Sequence, residues 1–223
     1  MAIPKEPVTE EKKEGYQKIE EFFKRYRNII IGVLAVAVIF VGGRMAYKNL
    51  FVKPKIQTAK EKIVAAERHF MKDSIQLALH GDGINPGFLT IIKKYGGTPS
   101  GNLARYYAGA CFMTLTDFNQ AIEHLKKFDS DDELLQAHAY WLIGQAYSGL
   151  EKMDDAYKYY VKATEAADSD MSSTYYKTAG DMAVKLEKYA EAKEFYETIK
   201  SRYPNSQEGR LIERDLGMVE AKL

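Results

Sequence analysis

Four histidines, a single cysteine and two short stretches rich in glycine or acid are the residues of this 223-residue chain with the means to do chemistry. Metal ligation from a helix needs histidines one turn apart. His69, His80, His124 and His138 show no H-x-x-x-H spacing, so each reads as an ordinary surface or groove residue. Cys111 lies in an apolar stretch with no base beside it and reads as a small core residue. Being single, it offers neither an intramolecular disulfide nor a cysteine metal cluster. The stretch "HGDGINPG" has three glycines but lacks the Gly-Lys-Ser/Thr ending of a phosphate cradle. The stretch "DSDDE" lacks the glycine and closing glutamate of a calcium loop and reads as a helix cap. These residues therefore predict no catalysis, no metal, no cofactor and no small-molecule substrate.

Composition narrows the partners. Charged residues make up 28% of the chain and the net charge is +1, with lysine and glutamate interspersed. A nucleic-acid binder needs a basic stripe, and none is present. Six prolines and long Ala/Leu/Lys/Glu/Tyr runs predict an all-α protein.

The elements that position everything else begin with "RNIIIGVLAVAVIFVGGR". From Ile29 to Gly43 no residue is polar or charged. Those fifteen residues span only ~22 Å as a helix, short of the ~30 Å hydrocarbon core of a bilayer. Continuing to Tyr47 gives nineteen residues and ~28 Å, provided Arg44 snorkels to the interface. Tyr26 and Tyr47 then lie near the two boundaries. A soluble core helix needs a polar face, and this run has none. A cleaved signal would have a glutamate-rich lead and Arg44 where small residues belong. The segment is therefore read as an uncleaved anchor over residues 28–47, behind a tail of residues 1–27. Lys24, Arg25 and Arg27 before it balance Arg44, Lys48, Lys53 and Lys55 after it, so charge does not choose its orientation.

Behind the anchor, residues 48–83 read as a long connecting helix and loop, with the helix over Lys53–Leu79 and Pro54 near its start. Residues 84–223 contain a repeat. Gly109, Gly144 and Gly180 recur at 35 and 36 residues. Ala121, Ala156 and Ala192 follow each glycine by twelve, and Leu125, Tyr160 and Tyr196 follow each alanine by four. Such a period predicts stacked pairs of antiparallel helices, three to four in number. The glycine and alanine admit the neighbouring backbone, and the large residue fills the seam. "LTDF", "LEKMDD" and "LEKY" turn between the two helices of a pair, while "DSDDE" and "DSDMSS" join pairs and supply N-caps. "GFLTIIKKYGG" reads as the second helix of an atypical leading pair, and "QEGRLIERDLGMVEAKL" as a C-terminal capping helix. Pro99 and Pro204 are expected to hold the same offset before their helices.

The first helix of each pair lines the concave face of such a stack. Projection onto this sequence selects Tyr106, Met113, His138, Trp141, Gln145, Lys177, Asp181 and Lys185. Aromatic, flexible and polar groups together suit an extended peptide or a partner helix. The Lys and Asn pattern of a carboxylate clamp is not matched at Tyr106 or Ala110.

The repeat resembles the tetratricopeptide family, with Gly144, Tyr147, Ala156, Tyr160 and Ala163 carrying the match best and Gly180, Ala192, Tyr196 and Pro204 repeating it. With the anchor, "GFLTIIKKYGGTPSGNLARYYAGACFMTLTDFNQAIEHLKKF" is similar to the ancillary subunits of the bacterial SecYEG translocon (the YfgM-like family). That resemblance implies an inner-membrane protein, crossing the lipid bilayer once, with a cytoplasmic N-terminus and a periplasmic repeat domain. It implies protein partners, namely the SecYEG translocon and a membrane-anchored periplasmic chaperone or prolyl isomerase. The expected function is a non-enzymatic adaptor that assists exported proteins. The alternative is an anchored scaffold for envelope assembly or cell division that never contacts secretory chains.

Overall fold

The computed structural model describes residues 10–169 and 171–223, and for residues 10–19, 22, 23, 30 and 33–35 the helical backbone alone. The described elements are helices, and the chain divides into two compact units, Met1–Pro54 and Lys55–Leu223.

The first unit is the helix α1 (Glu10–Tyr47) followed by a π-helical turn, Lys48–Val52. The apolar run lies within α1. Its described side chains, from Ile29 and Ile31 through Val36 to Val41, are exposed, as are Gly43, Arg44 and Tyr47. Tyr47 stacks on Phe51 at 5.6 Å. Among the described residues no helix is long and apolar enough to cross a membrane. Side chains 30 and 33–35 of the run, and the tail over residues 1–9, fall outside the described residues.

The second unit contains α2 (Lys53–Met71, apart from its first two residues), α3 (Ile75–His80), α4 (Phe88–Tyr95), α5 (Pro99–Thr114), α6 (Phe118–Lys126), α7 (Glu133–Gly149), α8 (Met153–Ala166), α9 (Ser172–Lys185), α10 (Tyr189–Arg202) and α11 (Gln207–Glu220). Successive helices share a row of small cores, which is how a repeat stack is stabilised.

The glycines do their work against a side chain, which corrects the expectation of backbone approach. A Cβ on Gly109 would stand 2.4 Å from Leu125 Cγ, on Gly144 2.5 Å from Tyr160 Cδ1, and on Gly180 2.4 Å from Tyr196 Cε1. Each first helix lacks a side chain where its own second helix lays down a large one.

The turns also repeat. Thr116, Glu151 and Glu187 adopt left-handed φ of 59°, 60° and 58°. After each, a backbone N–H reaches back to close the helix C-terminus, as Lys152 does to the Tyr147 carbonyl at 2.9 Å. Asp73, with φ 54°, closes α2 in the same way, its follower Ser74 reaching the His69 carbonyl at 2.9 Å. The continuous helix expected over Lys53–Leu79 is therefore broken at 72–74, and α2 is a first helix in register. Ala66 stands seven residues before Asp73, as each glycine stands before its left-handed residue, and buried Ala78 follows by the usual twelve. From Ala66 to Gly109 is 43 residues rather than 35, and the excess of eight equals the length of "HGDGINPG". That stretch splits the second helix of the leading pair into α3 and α4.

The split is a tight knuckle. Gly81 bridges Pro86, and the Asp82 carboxylate accepts the N–H groups of Ile84 (2.9 Å) and Asn85 (2.6 Å) and lies 3.3 Å from His69 Nε2. Those hydrogen bonds, from Asn85 before all others, hold the Asp82 carboxyl well below its ordinary range. Ile84 is at the tip, 88% exposed.

α11 is in register as well. Thr98 caps α5 by accepting the Gly101 N–H (3.1 Å) and donating to the Tyr95 carbonyl (2.8 Å); Ser206 caps α11 through Gly209 (2.9 Å) and Tyr203 (2.8 Å) in the same way. Gly109 and Gly217 each lie eleven residues past their cap. Five residues before the glycine, Ala104, Ala139, Tyr175 and Ile212 are buried; one before it, Ala108, Ile143, Ala179 and Leu216 are buried. The capping helix is thus the first helix of a further unit. Pro99 is the first residue of α5 whereas Pro204 lies in the turn before α11, so the two prolines are not equivalent.

Asp132 accepts the Leu134 and Leu135 N–H groups at 3.0 and 3.1 Å, capping α7 as "DSDDE" predicts. At "DSDMSS", residue 170 falls outside the described residues, and the junction is closed by Ser172, which accepts the Ser169 N–H and donates to the Ala167 carbonyl, each at 3.0 Å.

Candidate functional site

The first helices α5, α7 and α9 carry a ladder of rings, Tyr106, His138, Trp141 and Tyr175. Tyr106 and Trp141 stand three residues before their glycines. Tyr106 Oη and His138 Nδ1 share a hydrogen bond of 2.8 Å across the α5–α7 junction. His138 lies 5.4 Å from Trp141 between ring centroids, and Trp141 lies 6.3 Å from Tyr175. The Trp141 indole N–H donates to Thr178 Oγ1 at 3.2 Å, fixing the ring against α9. Burial pushes the Tyr106 phenol up to about 12 and pulls His138 below its ordinary value, so both are neutral near pH 7.

Beside this ladder is a cavity of about 400 Å³ lined by Tyr106, Asp132, Leu134, Leu135, His138, Met171 and Tyr175. Its wall is aromatic and its lips are apolar: Leu134 is 50% and Met171 56% exposed. Two exposed aliphatic side chains beside a shallow aromatic depression suit an apolar side chain from a passing polypeptide.

The predicted groove residues separate into groups. Tyr106 and His138 meet at the cavity, with Trp141 behind them. Met113 is half-buried against the core of α6 and α7, and Gln145 is half-buried. Lys177 and Asp181 are taken up internally. Asp181 accepts from Tyr196 Oη at 2.7 Å and from Lys177, whose ammonium also lies 3.2 Å from the buried Asp215 carboxylate. That network ties α9 to α10 and α11, and removing one partner strands the buried Asp215 charge. Lys185 is exposed and lines a separate cavity of about 380 Å³ with Tyr189, Met218 and Lys222.

Sequence reasoning missed Leu134, Leu135, Met171 and Tyr175. The repeat held a signal for Tyr175, which takes the place of the small Ala104 and Ala139. Leu134 and Leu135 sit in the first turn of α7, before the projected positions, and Met171 lies outside any helix. Among the described residues no group of three or more His, Cys, Asp or Glu side chains is placed to hold a metal ion. Cys111 is buried, which pushes its thiol up to about 12 and keeps it from the thiolate form.

The family model of the tetratricopeptide repeat-like domain matches residues 20–221. Among solved structures, the crystal structure of MamA protein superposes with a TM-score of 0.53 at 20% identity, covering 74% of this chain and 86% of its own. At that identity the likeness concerns the fold alone. A MamA RS-1 ArsTM double mutant covers 86% of this chain and 94% of its own at 19% identity, and its TM-score of 0.47 carries no argument. The search of curated proteins found no match. Helix pairs in one register, glycine seams under large side chains and a family model over nearly the whole chain lead to one statement: this chain belongs to the tetratricopeptide repeat-like domain family.

Proposed function

We propose that the chain is a non-enzymatic, membrane-anchored adaptor of the protein-export machinery. In this reading residues 28–47 cross the bacterial inner membrane with the N-terminus in the cytoplasm. The repeat domain then works in the periplasm beside the SecYEG translocon and a membrane-anchored chaperone or prolyl isomerase. The observation that carries the binding role is the aromatic cavity with Leu134 and Met171 at its lips. The apolar run of α1, whose described side chains are exposed, supports the anchor reading.

Magnitudes decide how such a pocket works. Burying one Leu or Phe side chain supplies about 1.5–3 kcal/mol. A millimolar complex already needs about 4 kcal/mol. The pocket therefore acts through the raised local concentration that an anchor provides, holding emerging segments briefly.

The test is purification of the full chain from mild detergent, with photocrosslinking from position 134 during export. Co-purification of translocon and chaperone subunits and crosslinks to exported chains are expected. Their absence overturns the adaptor reading, and subunits without crosslinks indicate a scaffold that never meets exported chains. A compartment-sensitive reporter at the C-terminus tests orientation separately; a cytoplasmic signal overturns the periplasmic placement.

A further inference from the structure

The stretch "HGDGINPG" interrupts a helix that the repeat would otherwise continue, and its glycines are tightly specified. Gly81 and Gly83 hold left-handed φ of 91° and 88°, and a Cβ on Gly87 would run into the Gly81 nitrogen and the Leu79 carbonyl. What the insertion builds is a cavity of about 360 Å³. Lys62 of α2, His80 of α3 and Lys94 of α4 line it, and the knuckle adds Gly83, Ile84 and Asn85. No carboxylate is among the lining residues. Lys62 and Lys94 make no ion pair among the described residues. Asp82, the acid of the stretch, is committed elsewhere. Its oxygens face the Ile84 and Asn85 N–H groups, the Asn85 amide and His69. Nothing lies within 4 Å of the Cβ position of Gly83, so a ligand can approach bare backbone there.

We propose that this cavity receives the phosphate group of an anionic phospholipid, with Lys62 and Lys94 on the phosphate oxygens and Ile84 among the acyl chains. Two unpaired ammonium groups brought together from different helices select an anion. The volume falls within the range of small-molecule sites, about 300–1,000 Å³, and so suits a phosphate carried by a larger molecule. Ile84 then selects the lipid. It stands at the exposed tip of the knuckle beside the charges, and a soluble phosphate or an acidic peptide leaves it in water. Cations on headgroups with an aliphatic side chain below them is the division of labour at a membrane interface. The site lies apart from the Tyr106 cavity and does not depend on the export reading.

The test follows the phosphorus NMR signal of dihexanoyl phosphatidylglycerol titrated with the full chain in mild detergent. Saturable broadening is expected. Dihexanoyl phosphatidylcholine, whose phosphate is matched by its own choline, binds about tenfold more weakly. Lys62→Gln with Lys94→Gln weakens the phosphatidylglycerol complex about twenty-fivefold, at about fivefold per lysine. Both side chains are exposed, so the melting temperature stays unchanged. Ile84→Ser weakens the lipid complex about tenfold and leaves binding of inorganic phosphate as it was. Tyr106→Ala changes neither, which separates this site from the proposed export function. Binding indifferent to the lysine pair overturns the proposal. Inorganic phosphate binding as tightly as the lipid, with no effect of Ile84→Ser, overturns it in favour of a soluble phosphate. Displacement of the lipid by a lower concentration of a polyglutamate peptide overturns it in favour of an acidic polypeptide.

Discussion

Gly144 and Gly217 hold the same register position in α7 and α11, one beneath the Tyr160 ring and the other beneath open space. The same residue type thus answers a packing demand at one site, and none among the described residues at the other. Only the neighbour distinguishes them, and substitutions of opposite sign expose the difference.

The largest effect falls on the covering residue. Tyr160→Ala empties a buried ring site and is expected to cost about 3–5 kcal/mol in urea-induced unfolding. A loss under about 1 kcal/mol would mean that the seam collapses and the glycine is not specified by the ring. Gly144→Ala comes next. Its Cβ would stand 2.5 Å from the ring, and overpacking costs about 1–3 kcal/mol against up to about 1 kcal/mol regained in helix propensity. A lowered melting temperature is expected, and a raised one breaks the comparison. Asp132→Ala removes the α7 cap and is expected to cost about 1 kcal/mol wherever the seam glycines stand. Gly217→Ala should stabilise the free chain by about 0.5–1 kcal/mol, the reverse of Gly144→Ala.

The smallest effect is a pH slope. His124 stacks on Phe112 at 5.4 Å, and its buried Nδ1 has no hydrogen-bond partner among the described residues. Burial first, then Lys127 and Arg105, lower its pKa, while Glu123 opposes them. A histidine held neutral when folded binds its proton more readily when unfolded. Stability present above the ordinary value of about 6.5 is therefore lost as pH falls through the window just below it. His138 acts in the same direction. Thermal melts of the chain and of His124→Phe from pH 7.5 to 5 should show the flatter profile in the variant. No histidine lies on α11, so this slope reports the closed units and leaves the open one silent.

The seams were legible because glycine, alanine and a large residue recur at fixed offsets, and turn residues at fixed positions between them. The leading pair was hidden for two physical reasons. Ala66 replaces the glycine, and an eight-residue insertion puts Asp82 where the large residue is due. Tyr106 and His138, selected from helical geometry, share a hydrogen bond across the α5–α7 junction. Lys177 and Asp181 share that geometry but bind partners on α10 and α11, between fifteen and thirty-eight residues away in sequence, which no local pattern displays. Met171 lies at a junction where no periodicity applies.

The "HGDGINPG" knuckle is, in the language of crystals, a dislocation with no net displacement. The chain leaves the second helix after His80 and re-enters it at Phe88, with Gly81 and Pro86 bridged between, so Ala78 before it and Gly109 after it keep their places in the repeat once the eight inserted residues are set aside. Because each pair in such a stack contacts only its neighbours, strain at the knuckle reaches no further than the core that the leading pair shares with α5. The stack can therefore carry a foreign sequence spliced beside Ile84 as freight, without passing it on to the cores downstream.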